Sequence, residues 1–254
     1  MAVSSVYGLD RFSEYMKGLE DCYTVIGGAA CDVILSNADL SFRATKDIDV
    51  ILLIENRLPD VASAMWRLVK DGGYEYARKG SEGVHFYRFA KPREDGFPSM
   101  VELFSKAPSF IEEPDGLAIV PLPAGEDVSS LSAILLNEDY YAYMKSGRKT
   151  IDGVTVLDEA HLVPFKAKAF LDLSERKERG EKVDSSDIKK HKKDVFRLAQ
   201  LFTPSTSSSL PEFIQDDMVE FCKKVRTEGV PLKQMGIHAT LEEVLGLIRH
   251  AYGL

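Results

Sequence analysis

The chain runs an apolar segment, Tyr23-Thr24-Val25-Ile26, into Gly27-Gly28, and after a polar interval reads Asp47-Ile48-Asp49-Val50-Ile51-Leu52. No other feature constrains the fold as strongly. Side chains two apart on a strand share a face, so Asp47 and Asp49 place two carboxylates side by side while Ile48, Val50 and Leu52 turn to the other face. Two ionised carboxylates in that position repel, and their pKa values rise unless a cation lies between them. An apolar strand gains little from two adjacent acids that serve only structure. The pair therefore reads as a divalent-metal site, with Mg2+ as the expected ion. A Gly-Gly turn opening a helix lets backbone N–H groups approach phosphate oxygens at the positive end of the helix dipole.

The 254 residues, 44% hydrophobic, suffice for two small domains with separate cores. Lys and Arg number 32 against 40 Asp and Glu, a formal charge of −8, so a nucleic-acid partner would need a local basic patch. Cys22, Cys31 and Cys222 form no C-x-x-C pair and read as small buried hydrophobes in a reducing, cytoplasmic setting. The amino-terminal residues lack a basic start and a long apolar run, and no stretch of roughly 18 apolar residues occurs, so neither secretion nor a membrane span is expected.

Helical spacing marks Gly8–Leu19, a helix opening at the Gly-Gly turn over Ala29–Leu35, and a helix after Pro59 with the stripe Val61, Ala64, Met65, Leu68 and Val69. Strands are expected at Tyr23–Ile26 and Asp47–Ile54, in a hairpin at Tyr74–Ala77 and Val84–Phe89, and at Ser99–Phe104. Glu102 lies among apolar neighbours in the last of these. As a third carboxylate from an adjacent strand it would complete a ligand set of hard oxygens for two metal ions. Short strands at Gly116–Leu122 and Ile151–Leu157 flank a helix at Ser130–Lys145. Beyond Asp158 the pattern is helical: Asp158–Ser174, Ser185–Phe202, Leu210–Glu228 and Thr240–Tyr252. The expected class is α+β, a mixed sheet with flanking helices in residues 1–125 followed by a mostly helical domain in residues 126–254.

In the helical half, Lys166 shares a stripe with Ala169 and Leu173 and is embedded among Phe165, Ala167 and Phe170. A lysine there can act as a point charge on phosphate. Asp184 or Ser185 can cap the next helix, on which Lys190, Asp194 and Arg197 fall on one face. Together with Lys193 this is the strongest basic patch of the chain, suited to a nucleotide or an RNA backbone. His191 has no second metal-type partner at ligand spacing.

Gly27-Gly28, Arg43-x-Thr45-Lys46-Asp47-Ile-Asp49, Glu102, Pro164-Phe-Lys166 with Ala169, and Lys190-His-Lys-Lys193-Asp194-Val-Phe-Arg-Leu198 together resemble the AbiEii/AbiGii group of the polymerase-beta-like nucleotidyltransferase superfamily. The resemblance covers most of residues 20 to 200. It implies a nucleotidyltransferase-fold sheet domain and a helical domain that completes a cleft, with transfer of a nucleoside monophosphate from an NTP to the acceptor end of tRNA or another RNA. It also implies Mg2+ as cofactor and, for the members that are toxin-antitoxin components, a cognate antitoxin as partner. By the same resemblance Asp47, Asp49 and Glu102 are metal ligands, with Glu102 also a general base. Gly27, Gly28 and Arg43 bind nucleotide phosphates. Lys166 neutralises the departing pyrophosphate, and Asp194 with Lys190 or Lys193 orients Lys166 or the nucleotide. The chain departs from the wider superfamily in having Gly27-Gly28 where Gly-Ser is common. Two other functions fit the same residues. One is a nucleotidyltransferase acting on an aminoglycoside-like alcohol, with Glu112, Glu113, Asp115, Glu126 and Asp127 available to line an acidic pocket. The other is a nucleotide-binding protein that transfers nothing.

Overall fold

A computed structural model describes residues 6–53, 57–81, 84–105, 134 and 137–254. The chain forms two compact units, Met1–Val128 with Arg148–Leu157, and Ser129–Gly147 with Asp158–Leu254. In chain order the first unit contains α1 (Leu9–Tyr15), β1 (Tyr23–Ile26), α2 (Gly27–Asn37), β2 (Asp47–Leu52), α3 (Leu58–Gly72), β3 (Glu75–Ser81), β4 (Val84–Ala90) and β5 (Met100–Ser105). The chain then forms α4 (Glu138–Ser146) of the second unit and returns to the first for β6 (Arg148–Ile151) and β7 (Val154–Leu157).

The seven strands form one mixed sheet in the order β3-β4-β5-β2-β1-β7-β6. The β2–β5 and β1–β7 pairs are parallel and the others antiparallel. Its apolar side chains include Ile48, Val50, Val101 and Leu103, all fully buried. Helix α3 buries the stripe Val61, Ala64, Met65, Leu68 and Val69; each of the larger side chains contributes about 1.5–3 kcal/mol relative to exposure. Pro at the first turn and Gly73 in the left-handed region beyond the last turn bound this helix.

The sheet departs from the sequence reading at its far edge. Ile151–Leu157 is not one strand; it spans the last residue of β6, the turn, and β7, the second arm of the hairpin that β6 begins. Asp152 and Gly153, with φ of 48° and 80°, form the two-residue connection, the geometry favoured by Asp-Gly because it matches strand twist. The hairpin joins β1 through β7, so a single cut at residue 125 does not separate the two units. The β3–β4 pairing also reaches farther than expected, to Ser81↔Val84. The expected strand at Gly116–Leu122, most of the expected helix before Asn137, and the acidic residues Glu112, Glu113, Asp115, Glu126 and Asp127 lie outside the described residues.

The second unit continues with α5 (Glu159–Glu178), α6 (Ser185–Ala199), α7 (Glu212–Glu228), a 3-10 turn (Leu232–Met235) and α8 (Leu241–Tyr252). Four of its described α-helices start where side chains satisfy the first free N–H groups, whereas α7 follows Pro211 with no side-chain cap. Asn137 caps α4, Asp158 caps α5, Asp184 caps α6, and Thr240 with Glu243 forms a capping box on α8. Phe170, Phe196 and Phe221, from α5, α6 and α7, are fully buried and in aromatic contact. The three cysteines are free thiols, all buried. Among the described residues no helix is long and apolar enough to cross a membrane.

Candidate active site

Strand register brings the acids of the first unit together. Asp49 is the Cα partner of Glu102 across the parallel β2–β5 pair, of Ile26 across β1–β2, and Glu102 is in turn the partner of Arg88 across β4–β5. Residues paired in register point to the same face, so Asp47, Asp49, Glu102 and Arg88 share one side of the sheet. Farther along the same face Ile51, Phe104 and Phe86 are buried, and the Arg88 guanidinium lies 5.6 Å from the Phe86 ring centre. The polar cluster thus sits at one end of a face that continues into Ile51, Phe104 and Phe86.

The Glu102 carboxylate accepts from Arg88 Nε at 2.7 Å, and both side chains are 14% exposed. Asp49 is hydrogen-bonded to Glu102. Two carboxyl groups in such contact need a proton or a cation between them. Burial first, and then the Asp49 charge, push Glu102 up to about 7, while Arg88 acts in the opposite direction. Asp47, at the open start of β2, is exposed.

The glycines fit around these acids. Gly27, the first residue of α2, has φ of 67°, and a Cβ there would overlap the Asp49 carboxylate. A Cβ on Gly28 would lie 2.8 Å from Thr45 Oγ1 and 3.2 Å from Arg43 Nη2. The amino end of α2 is capped by no side chain. Arg43, stacked on Phe42 at 4.9 Å, therefore sits beside Gly28 and the backbone N–H groups of the first helical turn. A guanidinium, a hydroxyl and helix N–H groups placed together in this way have the chemistry to bind an anion.

The donor chemistry suits Mg2+, a hard cation held by carboxylate oxygens. Among the described residues, however, no three His, Cys, Asp or Glu side chains are gathered as a ready metal cage. The expected trio is an Asp47–Asp49 pair with a neighbour, Glu102, that Arg88 already engages.

The residues singled out in the second unit take different places. Lys166, 3% exposed, donates to Asp194 Oδ2 at 3.2 Å, linking α5 to α6, and Arg197 Nη1 lies 3.4 Å from Asp194 Oδ1. Asp194 is fully buried. Lys190 does not join this cluster. It pairs with Asp187 at 3.7 Å and its side chain is 41% exposed. Helical side chains lean toward the amino end, which takes Lys190 to the residue three before it instead of to Asp194 four after it. Lys193 is partly exposed on the same helix.

Arg88 and Thr45 are the residues for which the sequence reading found no role. Arg88 becomes visible only through strand pairing, and Thr45, present in the Arg43–Asp49 motif without a role, meets Gly28 through the return of the loop onto α2. No protein-family model matches the chain, and no curated protein matches it. Among solved structures, the chain is similar to an antigenic nucleotidyltransferase-like protein from Paracoccidioides brasiliensis, with 14% identity, 98% of this chain and 99% of that chain covered, and a TM-score of 0.45.

Proposed function

We propose that this protein transfers a nucleoside monophosphate from an NTP to an acceptor hydroxyl, with RNA, and tRNA in particular, as the acceptor. The observation that carries this reading is the packing of Asp49 between Gly27 and Glu102. It sets an acid pair directly beside the anion-binding end of α2.

In this reading the N–H groups of Gly27 and Gly28 and the Arg43 guanidinium hold the phosphates. Asp47, Asp49 and Glu102 would hold Mg2+, which when bound supplies charge neutralisation at the phosphoryl oxygens. Glu102 takes the proton of the acceptor hydroxyl as that oxygen bonds to the α-phosphorus and pyrophosphate departs. Its pKa, raised to about 7, suits a proton acceptor near neutral pH. Arg88 positions the Glu102 carboxylate. Lys190 and Lys193, on α6 of the second unit, supply positive charge suited to an RNA backbone. Lys166 and Asp194 hold α5 against α6.

The test is label transfer from each α-labelled NTP, with Mg2+, to total RNA, to protein and to a panel of small aminated alcohols, comparing the native chain with Asp47→Ala/Asp49→Ala. Labelled RNA that disappears in the double variant is the expected result. Label on small alcohols alone moves the acceptor to that class. Tight NTP binding with no transfer to any acceptor overturns the enzymatic reading.

A further inference from the structure

The second unit contains a group of side chains that nucleotidyl transfer does not use. Ser146, in the last turn of α4, lies with its Oγ 3.2 Å from His161 Nε2, and His161 Nδ1 lies 2.8 Å from Asp158 Oδ1. A carboxylate only accepts, so Nδ1 carries the imidazole proton and donates it to Asp158. Nε2 is left as the acceptor facing the serine hydroxyl. This is the order of contacts that activates a serine, recognised by geometry and roles rather than by sequence position.

Local structure holds the three residues in place. Asp158 is the N-cap of α5 and also accepts from the His161 backbone N–H at 2.8 Å, so one oxygen fixes both the helix start and the ring. The cap alone requires only the backbone bond. The Asp158 N–H donates to Gly147 O at 2.8 Å, tying the end of α4 to the start of α5. The imidazole packs on the Tyr143 ring at 4.4 Å, and a Cβ on Gly147 would overlap it. Ser146 itself is exposed, whereas the His161 and Asp158 side chains are 15% and 25% exposed. Its hydroxyl also reaches Tyr143 O at 2.8 Å, so a small rotation exchanges a backbone acceptor for the imidazole.

We propose that Ser146, His161 and Asp158 form a second reactive site, in which Ser146 takes the acyl group of an activated ester. The Ser146 Oγ–H proton passes to His161 Nε2 as Oγ bonds to the carbonyl carbon. The bond from that carbon to the ester oxygen breaks, and the alcohol or phenol departs, receiving the proton from Nε2 or leaving it to solvent. Asp158 holds the ring in the required tautomer and offsets the charge of the imidazolium.

The experiment treats the full chain with p-nitrophenyl acetate, follows phenolate release, and maps the acetyl group by peptide mass spectrometry. The expected result is a single acetyl group on Ser146. Ser146→Ala should lose it, and His161→Gln should acetylate about 10²-fold more slowly, the scale of a positioned general base. The same sample unfolded in urea should lose the selectivity for Ser146. Acetylation of the native chain on lysines alone, or on Ser146 at an equal rate in native and urea-unfolded protein, would overturn the proposal. Because both of those readings come from the unsubstituted chain, they hold even if His161→Gln fails to fold.

Discussion

Asp49 and Glu102 are register partners on parallel strands with their carboxyl groups hydrogen-bonded, and burial with the Asp49 charge raises Glu102 to about 7. A cation drawn to this pair must displace the proton they share. Mg2+ binding near pH 6.5 should therefore release protons, seen as a dependence of the calorimetric binding enthalpy on the ionisation enthalpy of the buffer. The release should fade above pH 9, where Glu102 is already ionised, and Glu102→Gln should abolish it. Binding without proton release would place the cation away from Glu102.

Arg88 opposes the rise in the Glu102 pKa, and removing it should sharpen the pH dependence of stability. Glu102 has a folded value of about 7 against an ordinary 4.5. The folded chain keeps a proton that the unfolded chain has lost between those values. Its contribution is fully present below about 4.5 and is lost as pH rises through about 7. Arg88→Met leaves the partly buried carboxylate without its cation, an uncompensated charge that costs about 2–4 kcal/mol at pH 8 and much less at pH 5. Urea unfolding at the two pH values measures the difference. Equal losses at both would show that Arg88 acts through packing alone.

Gly27 and Gly28 should differ sharply when each is changed to alanine. Gly27 combines φ of 67° with a Cβ position that the Asp49 carboxylate already occupies. The left-handed backbone alone costs a non-glycine residue about 1–2 kcal/mol, and displacing Asp49 adds to it. Gly27→Ala should lower both thermal stability and label transfer by more than 10-fold in the latter, on the scale of a misplaced catalytic group. At Gly28 the nearest obstacle is the Thr45 hydroxyl at 2.8 Å, which a side-chain rotation relieves, so Gly28→Ala should fold nearly as well. A transfer assay paired with thermal melts of both variants separates the two effects.

The sequence exposed the parts of the site that local spacing controls. Asp47 and Asp49 share a face by strand period, and Gly27-Gly28 marks the turn into α2. What spacing could not reveal was pairing across the sheet. Arg88 reaches Glu102 because β4 runs antiparallel to β5 in one register, and a shift by one residue would have turned the guanidinium to the opposite face. The β6–β7 hairpin was hidden for a different reason. Its Asp152-Gly153 turn lies inside a glycine-bearing stretch that reads equally well as a loop. On α6 the helical wheel grouped Lys190 with Asp194, but the tilt of helical side chains sends Lys190 to Asp187.

Lys166 and Asp194 distinguish a phosphate-binding lysine from one that holds helices together. The pair is 3.2 Å apart, and Arg197 Nη1 lies 3.4 Å from the other Asp194 oxygen. Breaking a buried pair from one side leaves an uncompensated charge and costs about 3–5 kcal/mol, whereas an apolar replacement of both members can be neutral. Lys166→Met should therefore destabilise the chain strongly, and Lys166→Met/Asp194→Leu should recover part of the loss. Lys190→Ala, which removes an exposed pair, should change stability by less than about 1 kcal/mol. A double-variant cycle in urea gives the coupling energy directly. If Lys166→Met instead unfolds at the native urea concentration but transfers no label, the ammonium works on the phosphates and its bond to Asp194 is the resting state of a catalytic group.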